Sequence, residues 1–321
     1  MTKRRPRRTF HSRHAISMVG FLGLLVSATA WAHQAGLINW QLPDFMGKPA
    51  IVATHRPPHV TNPSGTTIIA ATNNSGIGPT AGASDDNCAA QFLGGKAPKL
   101  SNAALGSKTH KLCYMGFAAL NSGVTRTPLW SAEHLTAARI AAAQGLPRKN
   151  TFHADLNLPA DERAELQDYK GYPYDRGHLA PNADMPDVIS QNECFSLANM
   201  MPQDKDNNEH LWAHIEETVR KLAEQDGDLY VVTGPIFDGD TVMELNDRVM
   251  VPTKIFKAVF DVKTQHASVY VVDNAPGDKY RVVTLAQLEE LAGIDVFPGL
   301  SDKVRTAKLE LPAPPAASLV N

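Results

Sequence analysis

Tyr174-Asp175-Arg176-Gly177-His178-Leu179-Ala180-Pro181 sets an imidazole beside a guanidinium on a backbone that glycine lets bend. That combination suits hydrolysis of a phosphodiester, a poor electrophile that already carries negative charge. Attack by water then needs a base near neutrality and fixed positive charge around the phosphoryl oxygens. His178 supplies the first and Arg176 part of the second. A surface turn can hold the same residues by chance, so the stretch gains meaning only from what accompanies it.

Two elements accompany it: Asn199-Met200-Met201-Pro202-Gln203, then Asn207-Asn208-Glu209-His210-Leu211-Trp212-Ala213-His214-Ile215-Glu216. Leu211, Ile215, Val219 and Leu222 recur at helical spacing, which predicts a helix over 207–225. On that helix residues 208, 212 and 216 are each displaced by about 40° from the last and share one side. Asn208 and Glu216 can therefore border one site. Trp212 lies between them, next to the apolar stripe, and reads as a packing anchor.

Together with Arg126-Thr127-Pro128-Leu129-Trp130-Ser131-Ala132-Glu133-His134-Leu135 and Val231-Val232-Thr233-Gly234-Pro235-Ile236-Phe237, this ordered set resembles the DNA/RNA non-specific endonucleases. These are the ββα-metal nucleases that include secreted bacterial nucleases and mitochondrial endonuclease G. The resemblance spans roughly residues 88 to 300. It implies an α+β fold, with a central, mostly antiparallel sheet flanked by helices. It also implies an endonuclease of DNA and RNA that uses Mg²⁺, with Mn²⁺ as the alternate ion, and that leaves 5′-phosphate ends.

Roles follow by resemblance. His178 matches the general base that deprotonates the attacking water, for which a pKa near neutrality is expected. Asn208 matches the one direct protein ligand of the Mg²⁺. A neutral amide leaves the ion's full charge available to the scissile phosphate. Arg176 and Arg148 match arginines that support the transition state, gripping phosphate oxygens as lysine cannot. Glu216 matches a carboxylate that orients water around the metal. Asn199 and Gln203 match polar groups that orient the site, and Asp175 is expected to fix the bend that aims His178. Taken singly, most have plain alternatives: Asn208 as a helix-start residue, Glu216 as a solvated helical carboxylate. His134, His153, His210 and His214 lack the third ligand and flanking base of a zinc site.

Elsewhere, Leu112–Leu120 and Leu129–Leu135 read as a hairpin across Asn121-Ser122-Gly123. Asp228–Thr233 and Lys254–Val262 read as strands, the latter pairing with Ala267–Asp273 across Lys263-Thr264-Gln265. Thr284–Leu291 reads as a helix with a Thr284/Gln287 capping box.

The chain has 321 residues, 43% of them hydrophobic, enough for one large core. Residues 1–32 carry a basic start (Lys3, Arg4, Arg5, Arg7, Arg8, Arg13), an apolar run and Ala30-Trp31-Ala32, the pattern of a signal peptide. Export to a periplasmic or secreted location is therefore expected. Left uncleaved, the segment would be an N-terminal anchor, the one source of stable membrane contact. Residues 33–87 read as a flexible linker rich in Pro, Gly, Thr and Asn, 88–305 as the nuclease domain and 306–321 as a Pro-rich tail. Six of the 31 basic residues lie in the leader, which leaves 25 against 33 acidic ones. Such a chain does not adhere to polyanions in general, so phosphate binding rests on a local cationic cluster and a metal. Of three cysteines, Cys88 and Cys113 are expected to bridge, with Cys194 a buried thiol.

A phosphodiesterase for another substrate would share this base and metal. A non-catalytic nucleic-acid-binding module would not need His178, Asn208 and Glu216 together. Expected partners are DNA and RNA substrates and a second copy in a homodimer.

Overall fold

The computed structural model describes residues 88–239 and 242–320; the expected leader and linker, 1–87, lie outside the described residues. Runs rich in Val, Ile, Phe and Tyr build an eight-stranded sheet. Its strands are β1 (Thr109–Cys113), β2 (Ala118–Ser122), β3 (Thr127–Thr136), β6 (Asp228–Ile236), β7 (Lys254–Asp261), β8 (His266–Asp273), β9 (Lys279–Val283) and β10 (Ser318–Leu319). Between β3 and β6 in the chain come helix α1 (Ala137–Ala143), strand β4 (Tyr174–His178), helix α2 (Val188–Cys194), strand β5 (Met200–Asp204) and helix α3 (Ala213–Asp226). Helix α4 (Leu285–Ala292) follows β9. The order across the sheet is β10-β9-β8-β7-β6-β3-β2-β1. Only the β9–β10 pair is parallel.

The central strands are apolar on both faces because both faces are covered. In β7, Phe256, Ala258 and Phe260 join one core with Leu285 and Leu288 of α4. The alternate residues Ile255 and Val259 join another with Leu211, Trp212, Ile215, Val219 and Ala223 of the α3 side. This period of two places a helical layer on each side of the sheet. α4 begins at the expected capping box, with Thr284 and Gln287 bonded reciprocally.

Three expectations need correction. The run Leu112–Leu120 is two strands, since the chain reverses between Cys113 and Ala118 to pair β1 with β2; the turn Gly123–Arg126 then leads into β3. The helix expected over 207–225 is composite: a turn Lys205–Asn207, a π-helical turn Asn208–Trp212, then α3 ending at left-handed Gly227. The Pro-rich tail is extended but docked. Leu311 is buried, Ser268 Oγ donates to the Leu309 carbonyl, Tyr270 Oη donates to that of Pro312, and β10 joins the sheet edge.

Cys88 and Cys113 are bridged, with Cα atoms 5.5 Å apart. Cys194 is a buried free thiol, its ionisation suppressed by burial.

Candidate active site

β4 and β5 pair as a separate two-stranded antiparallel sheet, from Tyr174↔Asp204 to His178↔Met200, and lead directly into the π turn and α3. Strand alternation puts Tyr174, Arg176 and His178 on one face and Asp175 and Gly177 on the other. The glycine does not bend this strand. A Cβ at Gly177 would lie 2.0 Å from Gln203 Oε1 and 2.6 Å from Gln203 Cβ, so glycine is required because the Gln203 side chain crosses β4 there. Gln203 is fully buried, and its Nε2 donates to Asn207 Oδ1 at 2.9 Å. Asn207 Nδ2 in turn donates to the Asp273 carbonyl at 3.3 Å, tying the hairpin through the helix start to β8.

Asp175 has a different job from the one expected. Its Oδ2 accepts from Asn208 Nδ2 at 2.9 Å. The amide orientation is thereby set, and Asn208 Oδ1 remains without a hydrogen bond among the described residues. The π turn starts at this asparagine, and such insertions recur at functional sites. Trp212, at the end of the turn, is 1% exposed and is the core anchor expected of it.

His178 is buried among aromatic rings, 5.0 Å from Phe195 edge to face and 5.8 Å from Phe152. The Arg176 guanidinium lies over Phe152 at 4.1 Å and that of Arg148 over Phe195 at 5.3 Å. These rings bring together the three residues that the sequence placed at one site. Burial first, then the charges of Arg148 and Arg176, lower the His178 pKa to about 3, well below the near-neutral value expected. The imidazole is thus held uncharged. Its Nε2 is enclosed and has no hydrogen-bond partner among the described residues.

The turn after His178 is clamped by Asn199. Its Nδ2 donates to the carbonyls of Ala180 (2.8 Å) and Cys194 (3.0 Å), and its Oδ1 accepts from Ala180 N (3.0 Å) and Ser131 Oγ (2.9 Å). Leu179 N donates to the Asn199 carbonyl at 3.0 Å.

Glu216 is half-buried on α3, and burial raises its pKa to about 7, with Asp184 adding to the rise against Lys257 and Arg220. Around it lies a charged layer that sequence reasoning missed. Arg220 pairs with Asp184 at 3.0 Å, Arg139 reaches Glu133 at 3.3 Å, and the fully buried Lys257 donates to Thr233 Oγ1 at 2.7 Å. A visible signal existed, since Lys257 interrupts the apolar run of β7 and Glu133 that of β3. Phe152 and Phe195 gave no such signal, because their part depends on packing between distant segments. The four histidines considered for zinc do not assemble: among the described residues no cluster of three or more His, Cys, Asp or Glu could hold a metal ion.

Residues 97–303 match a sequence model of DNA/RNA non-specific endonucleases. A nuclease of Syncephalastrum racemosum is 46% identical over 113 residues, covering 34% of this chain and 35% of that protein. A nuclease of Nostoc sp. is 31% identical over 198 residues, 56% of this chain and 70% of the relative. The mitochondrial nuclease EXOG of Homo sapiens is 32% identical over 215 residues, 60% of this chain and 58% of its own length. The chain thus spans between about a third and seven-tenths of these relatives. The solved EndoG/EndoGI complex shares the fold, with a TM-score of 0.57 at 24% identity over 65% of this chain and 96% of that one. The expectation of export is overturned by the relatives: those from Danio rerio, Homo sapiens, Schizosaccharomyces pombe, Caenorhabditis elegans and Xenopus laevis are named mitochondrial nucleases. A likeness to this family therefore does not carry a periplasmic or secreted location with it.

Proposed function

The chain belongs to the DNA/RNA non-specific endonucleases, and we propose that its residues 88–305 hydrolyse internal phosphodiester bonds of both DNA and RNA with one Mg²⁺. The observation that carries this reading is the uncharged His178 beside Arg176 and Arg148, on the same strand as the Asp175 that orients the Asn208 amide at the helix start. Members of the family are metal-dependent nucleases, and the residues here fit a hard cation. Asn208 presents an amide oxygen with no competing hydrogen bond, the oxygen donor that Mg²⁺ or Mn²⁺ prefers. When bound, the ion supplies positive charge to the scissile phosphate and the leaving oxygen.

The imidazole takes the proton of the attacking water. With Nε2 enclosed, that work falls to Nδ1, and Nε2 carries the ring hydrogen. Arg176 and Arg148 stabilise the negative charge that grows on the phosphoryl oxygens, each guanidinium aligned by the ring beneath it. Asn199 keeps the chain after His178 in place, while Gln203 and Asp175 join the hairpin to the helix start. Glu216 as a carboxylate orients water near the phosphate. All these groups address the phosphate and none reads a base edge, which supports action on both sugar types. Incubating the purified protein with circular plasmid and with RNA, with and without chelator, tests the reading. The expected result is internal cleavage of both, 5′-phosphate ends and full loss of activity with chelator. Cleavage of one sugar type alone, or release of mononucleotides only from ends, would overturn it.

A further inference from the structure

Beside the catalytic strand lies a cavity of about 380 Å³ whose walls are Tyr174, Asp175 and Arg176, with Tyr169 buried behind them and Gln167 and Lys170 at the rim. Arg176 lines this cavity and also stands over Phe152 beside His178, so the two share a residue. Along β4 the residues that share a face, Tyr174, Arg176 and His178, succeed one another in steps of roughly 6.6 Å. That step is comparable to the advance of one nucleotide along an extended strand.

The cavity's charge favours an anion. Lys170 is exposed and Arg176 half-buried, and neither forms an ion pair among the described residues. Asp175 contributes one negative charge, and one of its oxygens is already engaged by Asn208. The balance is one net positive charge in a recess large enough for a sugar and a phosphate. Nearby cations outside the recess are spent on carboxylates: Arg248 pairs with Asp168 at 3.0 Å and Arg163 with Glu165 at 2.7 Å.

The segment that carries Lys170 is also held firmly. It follows the 3₁₀ turn Leu166–Tyr169, which is closed by reciprocal bonds between Glu165 and Asp168. Asp168 Oδ1 is fixed in addition by Asn246 Nδ2 at 3.0 Å, and Tyr172 Oη accepts from Asn246 N at 2.8 Å. The backbone beneath Lys170 is thus set before any ligand arrives, which lowers the entropy lost on binding.

We propose that this cavity is a second phosphate subsite: Lys170 and the outer edge of Arg176 hold the phosphodiester adjacent to the one that is cut, with its sugar against the Tyr174 ring. The inference rests on the nuclease reading above. It explains how an acidic chain holds its substrate locally, through two successive phosphates rather than a broad basic face.

Trinucleotides with two linkages provide the test. In one, both linkages are charged; in the two positional isomers, one linkage is a neutral methylphosphonate, which cannot be cut. Cleavage at the remaining phosphodiester is measured as kcat/KM for the unmodified protein, Lys170→Ala and Lys170→Gln. For the unmodified protein, neutralising the linkage on one particular side should lower kcat/KM about 5- to 10-fold, the size of one ordinary hydrogen bond. In both Lys170 variants the fully charged trinucleotide should already be cut that much more slowly, and the same neutral linkage should then cost little more. If the two losses multiply in both isomers, or if neither isomer differs from the charged substrate, the subsite is wrong and the nuclease reading stands. If the unmodified protein cuts none of the trinucleotides but cuts plasmid and RNA, two adjacent phosphates do not suffice to hold the substrate and the subsite is wrong; if plasmid and RNA are also left intact, it is the nuclease reading that fails.

Discussion

The hairpin of β7 and β8 and the hairpin of β4 and β5 are built by the same backbone pairing and satisfied in opposite ways. In the first, eight Cα pairs run unbroken from Lys254↔Asp273 to Asp261↔His266. Its buried polar groups are all matched: Lys257 to Thr233, Ser268 to the Leu309 carbonyl, Tyr270 to that of Pro312. In the second, five pairs suffice, and buried polar atoms are left over. Among the described residues, His178 Nε2 and Gln203 Oε1 have no hydrogen-bond partner. A buried polar atom without a partner costs about 1–3 kcal/mol. Such a cost is expected where a substrate or cation completes a site, although the large sheet also leaves Trp130 Nε1 and Asn121 Oδ1 without partners among the described residues. The β7–β8 hairpin thus satisfies its buried polar groups within the fold, whereas the β4–β5 hairpin leaves two buried atoms open.

The largest effect should come from His178, the proposed general base. His178→Ala should lower the turnover rate about 10²- to 10⁴-fold by loss of the base, leave half-saturating Mg²⁺ where it was, and not lower the denaturant midpoint. Asn208→Ala should instead raise half-saturating Mg²⁺ and change the preference among divalent ions. Parallel metal titrations of rate for the two variants decide this. Identical metal curves for both, or a marked loss of stability in His178→Ala, would erase the contrast between the hairpins.

Gly177→Ala should have an intermediate effect. The added Cβ collides with Gln203, whose bond to Asn207 links hairpin and helix, and such overpacking costs about 1–3 kcal/mol. Combining it with Gln203→Ala should recover much of that stability and little of the activity. Urea midpoints and cleavage rates of the two single variants and the double variant would show it. Equal, additive losses would mean that the glycine serves the backbone and not the space beside it.

The smallest effect concerns pH. Burial raises the Glu216 pKa to about 7, so the carboxylate is present only above that pH. Activity should therefore fall as pH drops through about 7, and Glu216→Gln, though slower, should have a flatter acid limb. The stability sign is the reverse. A raised acid pKa favours the fold below the unfolded value, and this contribution is lost as pH rises through about 7. Glu216→Gln should then gain stability relative to the unmodified protein at pH 8 and not at pH 5. Thermal midpoints and pH–rate profiles of the pair check both signs. An acid limb unchanged in the variant would assign it to another group.

Much of this was legible in the chain because it depends on neighbours in sequence. The β7–β8 pairing, the Thr284 capping box and the packing role of Trp212 follow from periodicity and turn chemistry, and His178, Arg176 and Asn208 were singled out by resemblance to a family motif. What only the tertiary structure decided is how side chains from distant segments meet. Gly177 looks like a hinge until Gln203 is seen to cross it. Asp175 looks like a turn residue until it is seen to hold Asn208. The spacing of residues 208, 212 and 216 promised a regular helix, and a π turn replaced its first part. The His178 pKa was expected near neutrality, yet enclosure by Phe152 and Phe195 beside two arginines holds it far lower. Residue type and spacing fix what a group can do, and desolvation and packing, which sum over the whole fold, fix the state in which it does it.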